Sequence, residues 1–176
     1  QNQKGFDASK DTVLLRGVTT KDDFTNVLKE ANSLSKQYGQ VGEVSLFAHA
    51  GENQGPVFHD ANGNATQFTS SELKGLTVNW EKKANAMFFG CNTGVHFAQD
   101  FANAQNVTSY GYEGYAYFSS DPNRQVGPHS RGSLYLIQRP GLANGDTVWH
   151  GVFDSLASKL GYGYAVPMVR KSPQGP

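Results

Sequence analysis

Two short apolar segments limit most strongly what this chain can fold into. The segment from Val41 to His49 contains the nearly continuous apolar run Val44–Ala48, and the segment from Ala84 to Cys91 contains a second one. The first run is too continuous for a half-exposed strand, and both are short enough to be strands. We therefore expect both segments to be buried strands in the centre of a sheet.

Helical patterns lie between the predicted strands. After a first strand predicted at Asp11–Val18, Thr19 or Thr20 can cap a helix that ends at Gly39. The apolar residues of this helix recur at helical spacing and form one stripe: Phe24, Val27, Leu28, Ala31, Leu34 and Tyr38. A second helix is predicted from Thr93 to Ala104. A last helix follows Asp146 and stops at Gly161.

Turn signals and further strands fill the rest of the chain. Asn62-Gly63 predicts a hairpin between residues 56–58 and 66–68, and Thr69 to Glu72 has the pattern of a capping box that opens a short helix. The remaining predictions are a strand at Val107–Ser119, a loop at Ser120–Arg131, a strand at Ser133–Gln138 and a frayed tail from Pro167.

Strands that alternate with helices predict an α/β fold with a mostly parallel central sheet and helices on both faces. No repeat, low-complexity tract or linker interrupts the chain, so residues 1–176 are predicted to form a single domain. In such sheets the ligand site lies beyond the carboxyl ends of the strands. That rule selects the stretches His49–Gly51 and Gly90–Gly94, which follow the two apolar strands.

Composition argues against several classes of protein. The chain has 15 basic and 15 acidic residues, so its formal net charge is zero and it has no long-range attraction for nucleic acid or an anionic membrane. No apolar stretch reaches the roughly 18 residues that cross a bilayer. The single cysteine, Cys91, cannot form an internal disulfide or a cysteine-rich zinc site, and we expect no metal or other cofactor. Glycine and asparagine richness favours a bacterial, exported or effector-associated domain.

The position of Cys91 suits a nucleophile. A helix that begins near Thr93 would direct backbone N–H groups at the sulfur, which favours the thiolate. Gly90 and Gly94 allow a tight turn and the close approach of a substrate backbone. His49 lies 42 residues upstream at the end of an adjacent predicted strand, where its imidazole can serve as the proton-transfer partner. The ordinary alternatives are a buried structural cysteine and a core histidine.

These two motifs together resemble the clan CD cysteine peptidases, which include caspases, separases, clostripain, gingipains and bacterial CHAT domains. The stretch Phe89–Gly94 is similar to the Gly-Cys-Ser-Ser-Gly stretch of separases, and Phe47–Gly51 resembles their His-Gly stretch. The resemblance covers about residues 11 to 120. It implies a caspase-like three-layer sandwich and a peptidase that acts on a polypeptide substrate. The neutral net charge leads us to expect no nucleic-acid or membrane partner.

The resemblance also implies a role for individual residues. Cys91 would be the nucleophile, His49 would transfer the proton, and the amides of Cys91 and of the His49 loop, at Ala50 and Gly51, would form the oxyanion hole beside Gly90. Ala50 departs from the family pattern, which has glycine directly after the histidine. Asp121 would belong to a pocket for a basic substrate side chain, although Ser120–Asn123 also has the composition of a simple turn.

Other polar residues have simpler interpretations. His96 with Asp100 fits an exposed i,i+4 pair, and His59 with Asp60 fits a surface position with a lesser claim to the rim of the site. Arg124, His129 and Arg131 in the long loop are predicted to be solvated, with contact to an acidic ligand as the lesser alternative, and His150 is predicted to be structural or exposed. Glu113 competes with Asp121 as the acidic residue of the pocket for a basic side chain, but it falls in the middle of a predicted strand. The tyrosines of the Val107–Ser119 segment fit core packing better than base stacking, because no basic groove accompanies them.

Three functions remain open on the sequence. The first is a cysteine endopeptidase with a Cys91–His49 dyad that cleaves after a basic residue. The second is a nuclease-like toxin or effector hydrolase that uses His49, His59 or His96 with acidic residues. The third is a catalytically dead binding module with the same fold.

Overall fold

The computed structural model describes residues 11–51, 55–113, 116–119, 135–138, 164–165 and 168–174. The helices are α1 (Lys21–Tyr38) and α2 (Phe97–Gln105). The strands are β1 (Val41–Phe47), β2 (His49–Ala50), β3 (Pro56–His59), β4 (Ala65–Gln67), β5 (Trp80–Phe89), β6 (Thr108–Gly111), β7 (Ala116–Ser119), β8 (Tyr135–Gln138), β9 (Tyr164–Ala165) and β10 (Val169–Lys171).

The central sheet has the strand order β1-β5-β6-β10. The pairs β1–β5 and β5–β6 are parallel, and β10 runs antiparallel to β6. The molecule is therefore a mixed α/β protein with a mostly parallel central sheet, as predicted. The other strands form two antiparallel sheets, β2-β3-β4 and β7-β8-β9.

Helix α1 forms where its capping chemistry predicts. The Thr20 hydroxyl accepts from the Asp23 N–H, and the Asp23 carboxylate accepts from the Thr20 N–H, which completes a capping box. Hydrogen bonds to its carboxylate from Thr19, followed by those from Thr20, lower the pKa of Asp23. Gly39 ends the helix at φ 100°, a conformation that L side chains rarely adopt. Phe24 and Leu28 are the buried apolar members of the predicted stripe.

One aromatic core lies between the helices and the central sheet. Leu46 of β1 and Phe88 of β5 are paired neighbours, and both are buried on the same face of the sheet. Phe88 contacts the rings of Phe97 and Phe101 on α2. Phe68 packs edge-on against Phe24 of α1 and also meets Phe97. Both described helices thus contribute to the core on this face.

The predicted first strand is wrong. Residues 11–19 have no helix or strand, and Val13 and Leu15 are 64% and 86% exposed. Arg16 instead forms an ion pair with Glu30 on α1. This contact ties the segment to α1, and none of the described strands pairs with it.

The position of β1 differs from the prediction. Within the described sheet β1 is an edge strand, and Glu43, Ser45 and Phe47 are exposed. On the opposite face of the sheet, the ring of Phe47 stacks on that of Phe89, with ring centroids 4.3 Å apart. The apolar run is nearly continuous because β1 has apolar side chains on both faces. The run therefore does not mark a strand buried on both faces.

Three boundaries also differ. Helix α2 begins at Phe97 after a series of turns, whereas the sequence placed its start near Thr93. The predicted strand Val107–Ser119 is divided into β6 and β7, which belong to different sheets. The tail predicted to fray contains β10, whose Val169 pairs with Gly111 of β6.

Two predictions in the middle of the chain are close to the structure. The hairpin around Asn62-Gly63 joins β3 to β4, and Gly63 has φ 82°. At Thr69–Glu72, the Glu72 carboxylate accepts from the Thr69 N–H, but only turns follow instead of a helix. The predicted last helix lies outside the described residues.

Candidate active site at the ends of β1 and β5

The parallel register of β1 and β5 brings the two predicted catalytic residues to one edge of the sheet. Phe47 pairs with Phe89, and the Ala48 N–H extends the ladder to the Phe89 carbonyl at 3.4 Å. His49 and Cys91 each follow this pair by two residues. The two segments therefore leave the sheet side by side, at the carboxyl ends of neighbouring strands.

Gly90 shows how closely the two segments approach each other. A Cβ atom placed on Gly90 would lie 2.6 Å from the Ala48 carbonyl oxygen and 3.3 Å from the Ala50 Cβ. Real Cβ atoms do not come that close to a backbone oxygen. Only glycine fits between Phe89 and Cys91, because the residues on both sides of His49 occupy the space that a side chain would need.

His49 begins β2 and turns the chain into the small antiparallel sheet. It pairs with Val57 of β3, and its side chain is exposed. The ring of His59 lies edge-on to the His49 ring, with centroids 6.2 Å apart. His59 is exposed, as predicted, and it also lies beside His49.

Asp60, the acidic neighbour of His59, has a structural task. Its carboxylate accepts hydrogen bonds from Asn64 and from the Asn62 N–H, which close the turn between β3 and β4. The Asn64 side-chain bond, followed by the backbone bonds of this turn, lowers the pKa of Asp60. The Asp60 carboxylate, which could act with the histidines in a hydrolase, is therefore already hydrogen-bonded within the hairpin.

Cys91 is partly buried in a turn that Thr93 holds in place. Asn92 has φ 55°, one of the two positive values among the described non-glycine residues. The buried Thr93 hydroxyl lies 2.9 Å from both the Phe88 and the Gly90 carbonyl oxygens, to which it can donate. It also accepts from the Tyr112 N–H at 3.3 Å. One side chain thus ties the end of β5, the Cys91 turn and the end of β6 together.

A glycine pair completes the support of this turn. Gly94 and Gly111 approach so closely that a Cβ on Gly94 would lie 2.7 Å from the Gly111 carbonyl oxygen. The Gly94 N–H donates to the Tyr112 carbonyl at 2.9 Å. Tyr112 itself is buried, which raises its pKa to about 12. Glycine at both positions lets the turn pack directly on the backbone of β6.

The predicted activation of Cys91 by a helix N-terminus is not what the structure shows. Helix α2 begins at Phe97 and its N-cap is His96, five residues beyond Cys91. Because the macrodipole acts over the first turn, α2 is too far along the chain to favour a thiolate at Cys91 in the predicted way. Any activation of the thiol must come from its other neighbours.

Ala50, which departs from the family pattern, has an ordinary strand conformation. Ala50 lies in β2 opposite Pro56, and it is absent from the described residues with positive φ. Gly51 follows the strand and also lacks a positive φ. Neither position demands a glycine for its conformation, so alanine at position 50 causes no strain here.

The other predicted residues divide into two groups. His96 and Asp100 are both exposed at the start of α2, and Glu113 forms an ion pair with Lys171 at 3.0 Å. The predicted residues that lie outside the described ranges are Asp121, Arg124, His129, Arg131 and His150. Thr93 joins the site in the structure, whereas the sequence pattern marks it only as the predicted start of a helix.

Comparisons with family models, curated proteins and solved structures found no match. Across the described ranges, no three or more His, Cys, Asp or Glu side chains are grouped to hold a metal ion. Each helix in the described part of the chain is too short or too polar to cross a bilayer. The geometry at the ends of β1 and β5 is therefore the basis for a functional assignment.

Proposed function

We propose that this chain is a cysteine endopeptidase of the clan CD type, with a caspase-like three-layer fold. The observation that carries the proposal is the in-register pairing of Phe47 with Phe89, which puts His49 and Cys91 at corresponding positions beyond neighbouring parallel strands. Ligand sites of α/β sheets lie at this edge. The exposure of His49 and the partial exposure of Cys91 leave room for a substrate.

The proposed chemistry uses the two side chains in sequence. The Cys91 thiolate attacks the scissile carbonyl carbon, and His49 gives a proton to the leaving amine as the C–N bond breaks. Water then attacks the acyl-enzyme, His49 accepts a proton from it, and the thiolate is released. The amide of Cys91 and the amides of the Ala50–Gly51 loop would stabilise the oxyanion of each tetrahedral intermediate. Asp121 would favour a basic residue before the cleaved bond.

The test is cleavage of a peptide library by the full chain and by three variants. We expect the wild type to cleave, with a preference for Arg or Lys before the scissile bond. Cys91→Ala should abolish cleavage, and His49→Gln should reduce kcat by roughly 100-fold or more. His96→Gln is the matched histidine control and should retain full activity. Undiminished hydrolysis by Cys91→Ala would contradict the proposal.

A second function is favoured by one observation. The rings of His49 and His59 lie 6.2 Å apart on exposed positions, an arrangement that suits an acid and a base acting on one phosphodiester. This hydrolase would survive Cys91→Ala and would lose activity in His49→Gln and His59→Gln. Incubation of the same variants with RNA separates the two functions. A chain inactive on both substrates would support a binding module.

A further inference from the structure

A polar cavity lies at the opposite end of the central sheet from Cys91. It has a volume of about 370 Å³, within the range of small-molecule sites. Its walls come from the start of β5, the connection between α2 and β6, and β10, and its charged residues are Glu81, Lys82, Lys83 and Arg170. Asn85 lies four residues before Phe89, the end of β5, which is about 13 Å along the strand, so the cavity is separate from the candidate active site beyond that end.

A bulge in β5 creates the cavity wall. Between the pairs Val41–Trp80 and Glu43–Asn85, β1 contributes Gly42 alone while β5 contributes the four residues 81–84. In a regular strand, Lys82 and Lys83 would point to opposite faces. The bulge lets both line one cavity, and bulges of this kind commonly redirect side chains at binding sites.

The cations in the cavity have no ion-pair partner among the residues that the structure describes. Within the described part of the chain, the side chains of Lys82, Lys83 and Arg170 form no ion pair, whereas Arg16, Lys21 and Lys171 each have a carboxylate partner. Three positive charges outweigh Glu81 and the roughly half negative charge at the carbonyl end of α2. The charges that line the cavity therefore sum to a net positive charge.

We propose that this cavity binds a small phosphate monoester. A phosphate monoester carries a charge of about −1.5 to −2 at pH 7, which matches the local excess of positive charge. Arg170 can contact two phosphate oxygens at once, and the lysines add point charges. The cavity is larger than a phosphate ion, and Asn85, Asn106 and Thr108 line it with hydrogen-bonding groups for the hydroxyls of the organic part.

Titration of the full-length chain with ribose 5-phosphate tests the proposal, with ribose and inorganic phosphate as comparison ligands. Calorimetry should show binding of the monoester, weaker binding of inorganic phosphate and none of ribose. Amide resonances of Asn85, Asn106 and Thr108 should shift in NMR spectra. The double variant Lys82→Gln/Lys83→Gln and the single variant Arg170→Gln should each bind at least about tenfold more weakly, which corresponds to about 1.4 kcal/mol.

The control is Lys29→Gln/Lys74→Gln, which removes two exposed lysines elsewhere and should bind within about twofold of the wild type. Equal weakening in the control would indicate general charge attraction and overturn the site. So would equal affinity for inorganic phosphate and the monoester, or no binding up to about 10 mM. The measurement requires no peptidase activity, so it can succeed or fail independently of the proposed function.

Discussion

At the scale of single residues, Thr93 supports the candidate site although it has no part in the proposed chemistry. Its hydroxyl forms hydrogen bonds with the backbone of Phe88, Gly90 and Tyr112 around the Cys91 turn. Its exposed fraction is 1%, so water cannot replace these bonds. The buried hydroxyl and the neighbouring glycines together hold the turn that contains Cys91.

Replacing Thr93 with valine should therefore lower the free energy of unfolding by about 1–3 kcal/mol, because valine keeps the shape but leaves buried polar groups without a partner. Thr93→Ser keeps the hydroxyl and should cost less. Urea denaturation compares the two variants. Equal stabilities would show that the hydroxyl contributes only its volume.

At the scale of elements, an ion pair connects α1 to the turn after β4. Lys21 Nζ lies 2.7 Å from Glu72 Oε1, and Glu72 also accepts from Thr69. Partial burial alone would raise the pKa of Glu72, but the hydrogen bonds from Lys21 and Thr69 outweigh it and lower the pKa to about 2. This contact is consequently sensitive to acid.

The sign of the pH effect follows from the lowered pKa. The unfolded chain binds a proton at Glu72 near pH 4.5 and the folded chain only near pH 2, so this stabilisation is complete above pH 4.5 and is lost between these values. Glu72→Gln should flatten the pH dependence of unfolding in this interval, and Lys21→Gln should reduce it in part. Chemical denaturation from pH 5 to pH 2 measures it. An unchanged slope in Glu72→Gln would contradict the assignment.

Helices and strands also show most clearly which features of the fold the sequence predicts. Helix α1 was predictable because its caps and its apolar stripe agree, and the edge shared by His49 and Cys91 followed from two apolar strands of parallel sense. The strand at 11–18 and the fraying of the tail were wrong, since strand pairing depends on partners distant in sequence. Val169 pairs with Gly111, and the residues near Val169 in the sequence do not predict this pairing.

The late start of α2 and the bulge of β5 have another cause. Seven residues, 90–96, separate β5 from α2 at a place where Asn92 takes a left-handed conformation and Gly94 packs on Gly111. Helix periodicity shows which residues face the core but not where tertiary contacts delay the first turn. In the same way, the sequence of residues 81–84 is typical of a regular strand. The bulge is evident only in the structure, where the single residue Gly42 of β1 lies opposite these four residues.

At the scale of the whole molecule, the central sheet separates two regions of different character. One end of β5 leads to the exposed His49 and the partly buried Cys91, and the other end contributes Lys82 and Lys83 to the polar cavity. The aromatic core around Phe88 connects the helices with the sheet between these ends. The proposed catalysis depends on this sheet to align two segments that lie 42 residues apart in sequence.

The most direct test of that alignment is the rate at which iodoacetamide alkylates Cys91, measured by mass spectrometry at neutral pH. If the imidazole of His49 acts on the thiol, folded wild-type chain should react faster than cysteine in solution, and His49→Gln should react about tenfold more slowly than wild type. His96→Gln should react like wild type. Equal rates for wild type and His49→Gln would show that the two residues do not work as a pair.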